Sequence, residues 1–315
     1  MIIALAGGVG GARLAQGLVQ VLGPDKLGIV VNVGDDFEHL GLQISPDLDT
    51  VMYTLAGIHN AKLGWGRAHE TWHFMETLEQ LGGETWFRLG DRDLAVHVDR
   101  TRRIRAGETL SAITAGFCAR LGIRHSVMPA TDQRLRTRVL TDIGELDFQD
   151  YFVRRRCEPA VRGLRFEDAQ SALPCAALGR LIAAERITGI VICPSNPWLS
   201  IAPIFAIGEL SSLIDAHRVP VVAVSPIIAG KAVKGPASKI MHELVGGSDA
   251  LSVVEYYGVR VDGWVIDAQD AALAGRVEAA GHRVRVTDTI MSSPERARQL
   301  AVDTLALFDE LDAAE

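Results

Sequence analysis

MIIALAGGVGGAR, residues 1–13, joins a short apolar run to a block of glycines and the start of a helix. Unbroken hydrophobicity over Ile2–Ala6 is the mark of a strand covered on both faces. A strand that enters a glycine-rich turn ahead of a helix is the first βα unit of a nucleotide-type α/β sheet. Glycines at positions 7, 8, 10 and 11 let backbone N–H groups come close to phosphate oxygens, and the following helix adds its partial positive end. Gly7, Gly8, Gly10 and Gly11 are therefore candidate anion-binding residues. No Lys-Ser/Thr pair follows, so this is not a Walker A loop. Arg13 stands where G-x-G-x-x-G requires its third glycine, and the second strand ends in Asn32 rather than an acid, which favours an oxyanion site over a nicotinamide dinucleotide.

Outward from this unit the pattern repeats. Strands are predicted over Ile2–Ala6, Gly28–Asn32, Ile187–Cys193, Val219–Val224, Gly263–Asp267 and Arg283–Val286. Helices are predicted over Ala12–Leu22, Leu48–Ala56, His69–Leu81, Leu110–Leu121 and Ile204–Ala216, then over Ser238–Val245, Asp249–Tyr256, Ala271–Ala280 and Pro294–Leu311. The alternation implies an α/β fold: a Rossmann-like, mainly parallel sheet with helices on both faces. The stretch RTRVLTDIGELDFQDYFVRRR reads instead as an antiparallel hairpin turning near Asp142–Gly144. The expectation is one domain over 1–315, with a small β-containing insertion at about 126–183.

The loop after the second strand carries the most chemistry. VVNVGDDFEHLGLQISPDLDT, residues 30–50, sets Asp35, Asp36, Glu38, Asp47 and Asp49 around a proline-led helix start. Carboxylates at a strand end suit a hard cation such as Mg²⁺, which prefers oxygen ligands and bridges phosphates. Asp35, Asp36 and Asp49 are the candidate metal ligands. Pro46 suits the first helical turn, Ser45 its cap, and Asp47 the helix dipole. Asp49, beyond what a cap needs, is the candidate general base.

Two later loops point to the same cleft. ICPSNPWLSIAPI offers Ser195, Asn196 and Ser200 as hydroxyl and amide donors, and VSPIIAGKAVKGPASK offers Lys231, Lys234 and Lys239 beside glycines, a pairing suited to diphosphate. WFRLGDRDLAVH adds Arg88, Asp91, Arg92, Asp93 and His97, for which local Asp–Arg pairing is the plain reading. Trp65 and Trp86 can stack on a flat ring, although large aromatics usually serve as core.

Composition bounds the classes. A chain of 315 residues with 48% hydrophobic and 23% charged content is an ordinary globular protein. Its net charge of -7 argues against nucleic acid as a general partner, and the basic run at 100–105 reads as a solvated face. Cys118, Cys157, Cys175 and Cys193 show no C-x-x-C pair, so reduced thiols and a cytoplasmic setting are expected. No leader and no membrane-length apolar run is visible, so no membrane partner is expected.

Several segments together resemble the 2-phospho-L-lactate transferase family of coenzyme F420 biosynthesis: LAGGVGGARLAQGL, NVGDDFEHLGLQISPDLDTVMYTLAG, GETWFRLGDRDLA, PSNPWLSIAPI and SPIIAGKAVKGPA. The resemblance implies a Mg²⁺-dependent transfer from a guanosine-diphospho-linked three-carbon acid to the ribityl hydroxyl of the deazaflavin Fo. The products would be an F420-0-type phosphodiester and GMP. It places the family's Fo-contacting acid on Asp49 and its basic contact on Arg88, where some relatives carry lysine. The glycine loop and the loop with Lys231 and Lys234 would hold the diphosphate, and a homodimer is implied. The acid itself stays open among phospholactate, phosphoenolpyruvate and phosphoglycerate. A non-catalytic sugar-nucleotide-binding regulator of the gluconeogenesis-factor type shares the glycine loop, but has glycines and serines after the Asp pair where this chain has FEHLGLQISPDLDT.

Overall fold

The structure, a computed structural model, describes residues 1–215, 219–232 and 237–312. Strands β1 (Ile2–Ala6) and β2 (Leu27–Val31) precede a hairpin of β3 (Phe37–His39) and β4 (Leu42–Ile44). β5 (Ser126–Pro129) leads into β6 (Arg136–Thr141), β7 (Gly144–Asp147) and β8 (Val161–Glu167). β9 (Gly189–Ile192) and β10 (Val221–Val224) precede a small hairpin of β11 (Ile227–Ile228) and β12 (Lys231–Ala232), and β13 (Gly263–Asp267) and β14 (Arg283–Thr287) complete the set.

Seven of these form one parallel sheet in the order β14-β13-β10-β9-β1-β2-β5. The chain winds from β1 through β2 to the β5 edge, then returns to β9 on the other side of β1. This is the doubly wound arrangement, and its direction reverses between β1 and β9, where such folds open a crevice at the carboxyl ends of the strands. Register levels the exits: Ala6 lies opposite Val31, and Leu5 opposite Ile192. The loops after β1, β2 and β9 thus leave the sheet at one height. Every residue of β2, β9, β10 and β13 is buried, as strands covered on both faces require.

Helices α1 (Gly8–Leu18), α2 (Pro46–Leu55), α3 (His73–Gln80), α4 (Asp91–Arg105) and α5 (Leu110–Arg120) occupy the first half. α1 packs on α2 and on the C-terminal helix Pro294–Asp312, so closely that a Cβ at Gly17 would overlap the Ala297 carbonyl. No single helix among the described residues is long and apolar enough to cross a membrane.

Some elements depart from the sequence reading. α1 starts at Gly8, four residues before Ala12, so the glycines are themselves its first turn. Ser126–Pro129 is an edge strand of the main sheet, paired with β2, rather than part of a separate unit; the antiparallel sheet β7-β6-β8 begins only at Arg136. α4 has no counterpart among the predicted helices. Its buried residues are His97, Arg100 and Thr101, so it lacks the apolar stripe that reveals a helix.

Candidate functional site

Backbone and side chains from three loops interlock at the crevice. Ser195 Oγ accepts the Gly7 N–H at 3.0 Å and donates to the Gly7 carbonyl at 2.8 Å. A Cβ at Gly10 would overlap the Pro194 carbonyl oxygen, and one at Gly7 would stand 2.6 Å from Ser200 Cβ. Gly8 has open space around it but φ of +61°, a left-handed conformation that costs any other residue. Gly10→Ala must push the β1 and β9 loops apart, at a cost of about 1–3 kcal/mol. Gly8→Ala costs only roughly 1 kcal/mol of backbone strain. Thermal melts should show a larger loss for the first; equal losses would contradict the close approach.

The acidic segment joins this assembly through Asn32, at the end of β2. Its amide nitrogen donates to Asp35 Oδ1 at 3.1 Å, Asp47 Oδ2 at 3.0 Å and the Leu199 carbonyl at 3.3 Å, while its oxygen accepts the Gly34 N–H at 2.8 Å. Asp47 Oδ1 accepts the Gly8 N–H at 2.7 Å. Asp47 therefore does more than complement the α2 dipole: it binds the first turn of α1. Ser45, expected as the α2 cap, makes no capping bond and donates instead to Asp36 Oδ2 at 2.7 Å. Asn32, used in the sequence only as evidence against a dinucleotide, is the hub. Asn32→Asp would lose the amide donor that Asp35 and Asp47 share and is expected to cost about 3 kcal/mol or more. A melting temperature equal to that of the unaltered chain would contradict this.

Three buried carboxylates thus crowd the crevice. Burial, then the charges of Asp47 and Asp36, push Asp35 well above the carboxylate range. Burial pushes Asp36 up to about 7 against the pull of Arg136, Ser45 and Arg100, and pushes Asp47 up to about 6 against its bonds from Asn32 and Gly8. Asp36 Oδ1 is buried without a hydrogen-bond partner. Repelling carboxylates and a bare oxygen are what a hard divalent cation satisfies, so Asp35 and Asp36 fit as ligands.

Asp49, 5% exposed, stands beside this group in a second network. Arg100 forks both of its oxygens, with Nη1 3.0 Å from Oδ2. His97 Nδ1 lies 3.7 Å from Asp49, and its Nε2 3.4 Å from Asp93, which accepts the Tyr53 hydroxyl at 2.5 Å. Burial raises Asp49 while Arg100 and His97 pull it down, with a net rise. For Asp93, burial is outweighed by bonds from His97 and Tyr53, and the net shift is downward. One ligand atom each from Asp49, Asp93 and His97 falls within 4.8 Å of the others, a grouping compatible with a divalent metal. That set mixes oxygen and nitrogen and has Arg100 against it, so it suits Mg²⁺ less well than Asp35 and Asp36 do.

The remaining sequence candidates are placed as follows. Ser195 is spent on Gly7, whereas Asn196 uses its Oδ1, which caps the turn Pro197–Ile201 by accepting the N–H groups of Trp198 and Leu199 and so fixes the orientation of its amide. Arg88 is exposed, its guanidinium 4.3 Å from the Trp72 ring, apart from the Asp49 network. Lys231 is exposed after a tight turn in which Ala229 and Gly230 both have positive φ, held by Asp270 accepting the Ala229 N–H. Lys234 lies outside the described residues. Lys239 is not a phosphate ligand here: it bonds Glu243, the Pro159 carbonyl and the Tyr151 hydroxyl. The expected Asp–Arg pairing in 86–97 is also absent; Asp91 caps α3 through the His73 and Phe74 N–H groups. Trp86 packs with Phe37, His39 and Phe87, whereas Trp65 is half exposed.

The segment 126–183 also reaches the crevice. The Thr137 N–H donates to the Gly34 carbonyl at 2.6 Å, and the Arg136 charge acts on Asp35 and Asp36. No motif announces these contacts, because they depend on how β6 docks.

Residues 2–305 match the family model described as 2-phospho-L-lactate transferase CofD. The chain is 40% identical to a phosphoenolpyruvate transferase of Streptomyces avermitilis, over 98% of each chain. It is 36% identical to a 2-phospho-L-lactate transferase of Methanosarcina acetivorans, over 98% of this chain and 99% of that one. A crystal structure of a UPF0052 family member from Bacillus halodurans shares the fold at a TM-score of 0.62 and 14% identity, covering 96% of this chain and 98% of that one. With the family matched along nearly its whole length, the chain belongs to the 2-phospho-L-lactate transferases of coenzyme F420 biosynthesis and is a transferase.

Proposed function

We propose that the chain transfers a phosphorylated three-carbon acid from a guanosine-diphospho donor to the ribityl hydroxyl of Fo, with Mg²⁺, giving an F420-0-type phosphodiester and GMP. The observation that carries this reading is the convergence of a helix N-terminus, uncompensated carboxylates and a buried acid at one switch point. The names of the relatives supply the substrate class. Those at 40% identity called phosphoenolpyruvate transferase make the enolpyruvyl donor the first to test, ahead of the lactyl and glyceryl ones.

In this reading the first turn of α1 receives the diphosphate. Its opening N–H groups have no intrahelical partner, and Asp47 already uses that of Gly8, leaving Val9 and Gly10 for ligand oxygens. Lys231 and Lys234 would approach from the β11–β12 side. Mg²⁺ held by Asp35 and Asp36 would neutralise diphosphate charge; the Arg100 fork takes one lone pair on each Asp49 oxygen and leaves the others for the acceptor side. The Fo hydroxyl oxygen forms a bond to the acid-bearing phosphorus, the bond to the GMP oxygen breaks, and the hydroxyl proton passes to Asp49. Its raised affinity for a proton, set by burial, suits that role. Arg88 and Trp72 would flank the deazaflavin. We further place the chain in the cytoplasm, with small-molecule substrates and as a homodimer.

Ligand-dependent thermal shifts test the reading. GDP with Mg²⁺, and Fo, should each raise the melting temperature, while UDP-sugars and NAD should not. Stabilisation by UDP-sugars alone would favour the sugar-nucleotide regulator.

A further inference from the structure

We infer that Arg100 is the positioning residue of Asp49, its guanidinium fixing both carboxylate oxygens so that this acid meets the acceptor in one orientation. The inference rests on Asp49 being the functional acid, as proposed above.

Arg100 is 1% exposed, so it is too deep to touch a ligand and acts through what it holds. Nη1 and Nη2 grip one oxygen each of Asp49, and Nη1 also faces the Gln43 carbonyl at 3.4 Å and His97 Nδ1 at 3.3 Å. The arginine is braced from behind. His97 and Asp93 lie three and seven residues earlier on α4, on the same stripe of the helix. Asp93 takes the hydroxyl of Tyr53, which is one turn beyond Asp49 on α2. Asp49–Arg100 and Tyr53–Asp93 thus cross-link α2 and α4 at two levels, with His97 between them. A third latch, the Gln43 N–H donating to Thr101 Oγ at 2.8 Å, ties the strand before α2 to α4.

Charge neutralisation alone does not explain an arginine here. A lysine would compensate Asp49 as a point charge, but only a planar fork fixes both oxygens at once. A buried pair is also weak evidence for a purely stabilising role. The polar face of α4 is then the device that aims the acid.

Steady-state kinetics on the full chain, with Fo and the donor found active, provide the test. Arg100→Lys keeps the charge and loses the fork, and misplacement of a reacting group by about 1 Å costs about 100-fold in rate. The expected result is a fall in kcat of about that size with far less change in the KM for Fo. In an Asp49→Asn background the same substitution should cost nothing further, because Arg100 acts through Asp49. Unchanged kcat in Arg100→Lys overturns the inference, and so does an equal loss in both backgrounds. If Arg100→Lys does not fold, Asp49→Asn with Arg100→Gln removes both charges together and must match Asp49→Asn alone; an additional loss overturns the inference. No product from the unaltered chain overturns the proposed reaction and this inference together, whereas product formation with an indifferent Arg100 overturns this one only.

Discussion

Asp49→Asn should lower kcat by roughly 100- to 10,000-fold, the range in which a positioned general base contributes. The same substitution leaves Arg100, fully buried, facing a neutral amide. Removing one partner of such a pair costs about 3 kcal/mol or more. A lower melting temperature should therefore accompany the lost turnover, and rate and stability must be read separately. Folded Asp49→Asn protein with near-normal kcat would remove Asp49 from the mechanism.

Metal-free protein should lose stability as pH rises. In the folded chain Asp36 titrates at about 7 and Asp47 at about 6, against an ordinary value of 3.8, and Asp35 and Asp49 are raised as well. Across that interval the folded state keeps protons the unfolded state has released, so stability falls with rising pH. The penalty is absent below about pH 4 and grows as pH rises through the folded-state values of Asp47 and Asp36, about 6 and about 7. For Asp36 alone, raised to about 7 by burial, the penalty is on the order of 4 kcal/mol. Carboxylates shifted downward, such as Asp93, act below pH 4, whereas His39, His59 and the terminal amine, lowered by burial, add stability as pH rises and offset part of the fall without reversing it. In EDTA the melting temperature should drop by roughly 5–10 °C between pH 5 and pH 8. Mg²⁺ should restore most of the loss at pH 8 and change little at pH 5, where protons already occupy the carboxylates. Asp36→Asn should flatten the slope. A melting temperature that climbs from pH 5 to pH 8 in EDTA would contradict the uncompensated cluster.

The sheet was legible because its strands announce themselves by hydrophobicity alone: β1, β2, β9, β10 and β13 all fall within or beside the predicted runs. β5 was not, since SVMP is four residues long and ends in a proline. Within the crevice, spacing identified which residues are polar and near a strand end, but not which hydroxyl or amide is already committed. Ser195 and Lys239 are consumed by Gly7 and Glu243, contacts set by tertiary approach. Asn32 was hidden for the opposite reason: one amide between two acids looks unremarkable until both carboxylates converge on it.

α4 is the instructive failure. The basic run at 100–105 reads as a solvated face, yet its Arg100 is among the most buried side chains of the molecule, while Arg102 pairs with Asp99 at the surface. A buried polar stripe gives no hydrophobic signal, and only the matching stripe on α2 reveals it.

The most direct measurement is product identification by mass spectrometry after incubating the purified chain with Fo, Mg²⁺ and, in turn, the enolpyruvyl, lactyl and glyceryl guanosine-diphospho donors. The expected result is an F420-0-type phosphodiester with stoichiometric GMP from at least one donor, abolished by EDTA. Unchanged Fo and no GMP with all three donors would contradict the proposed transfer.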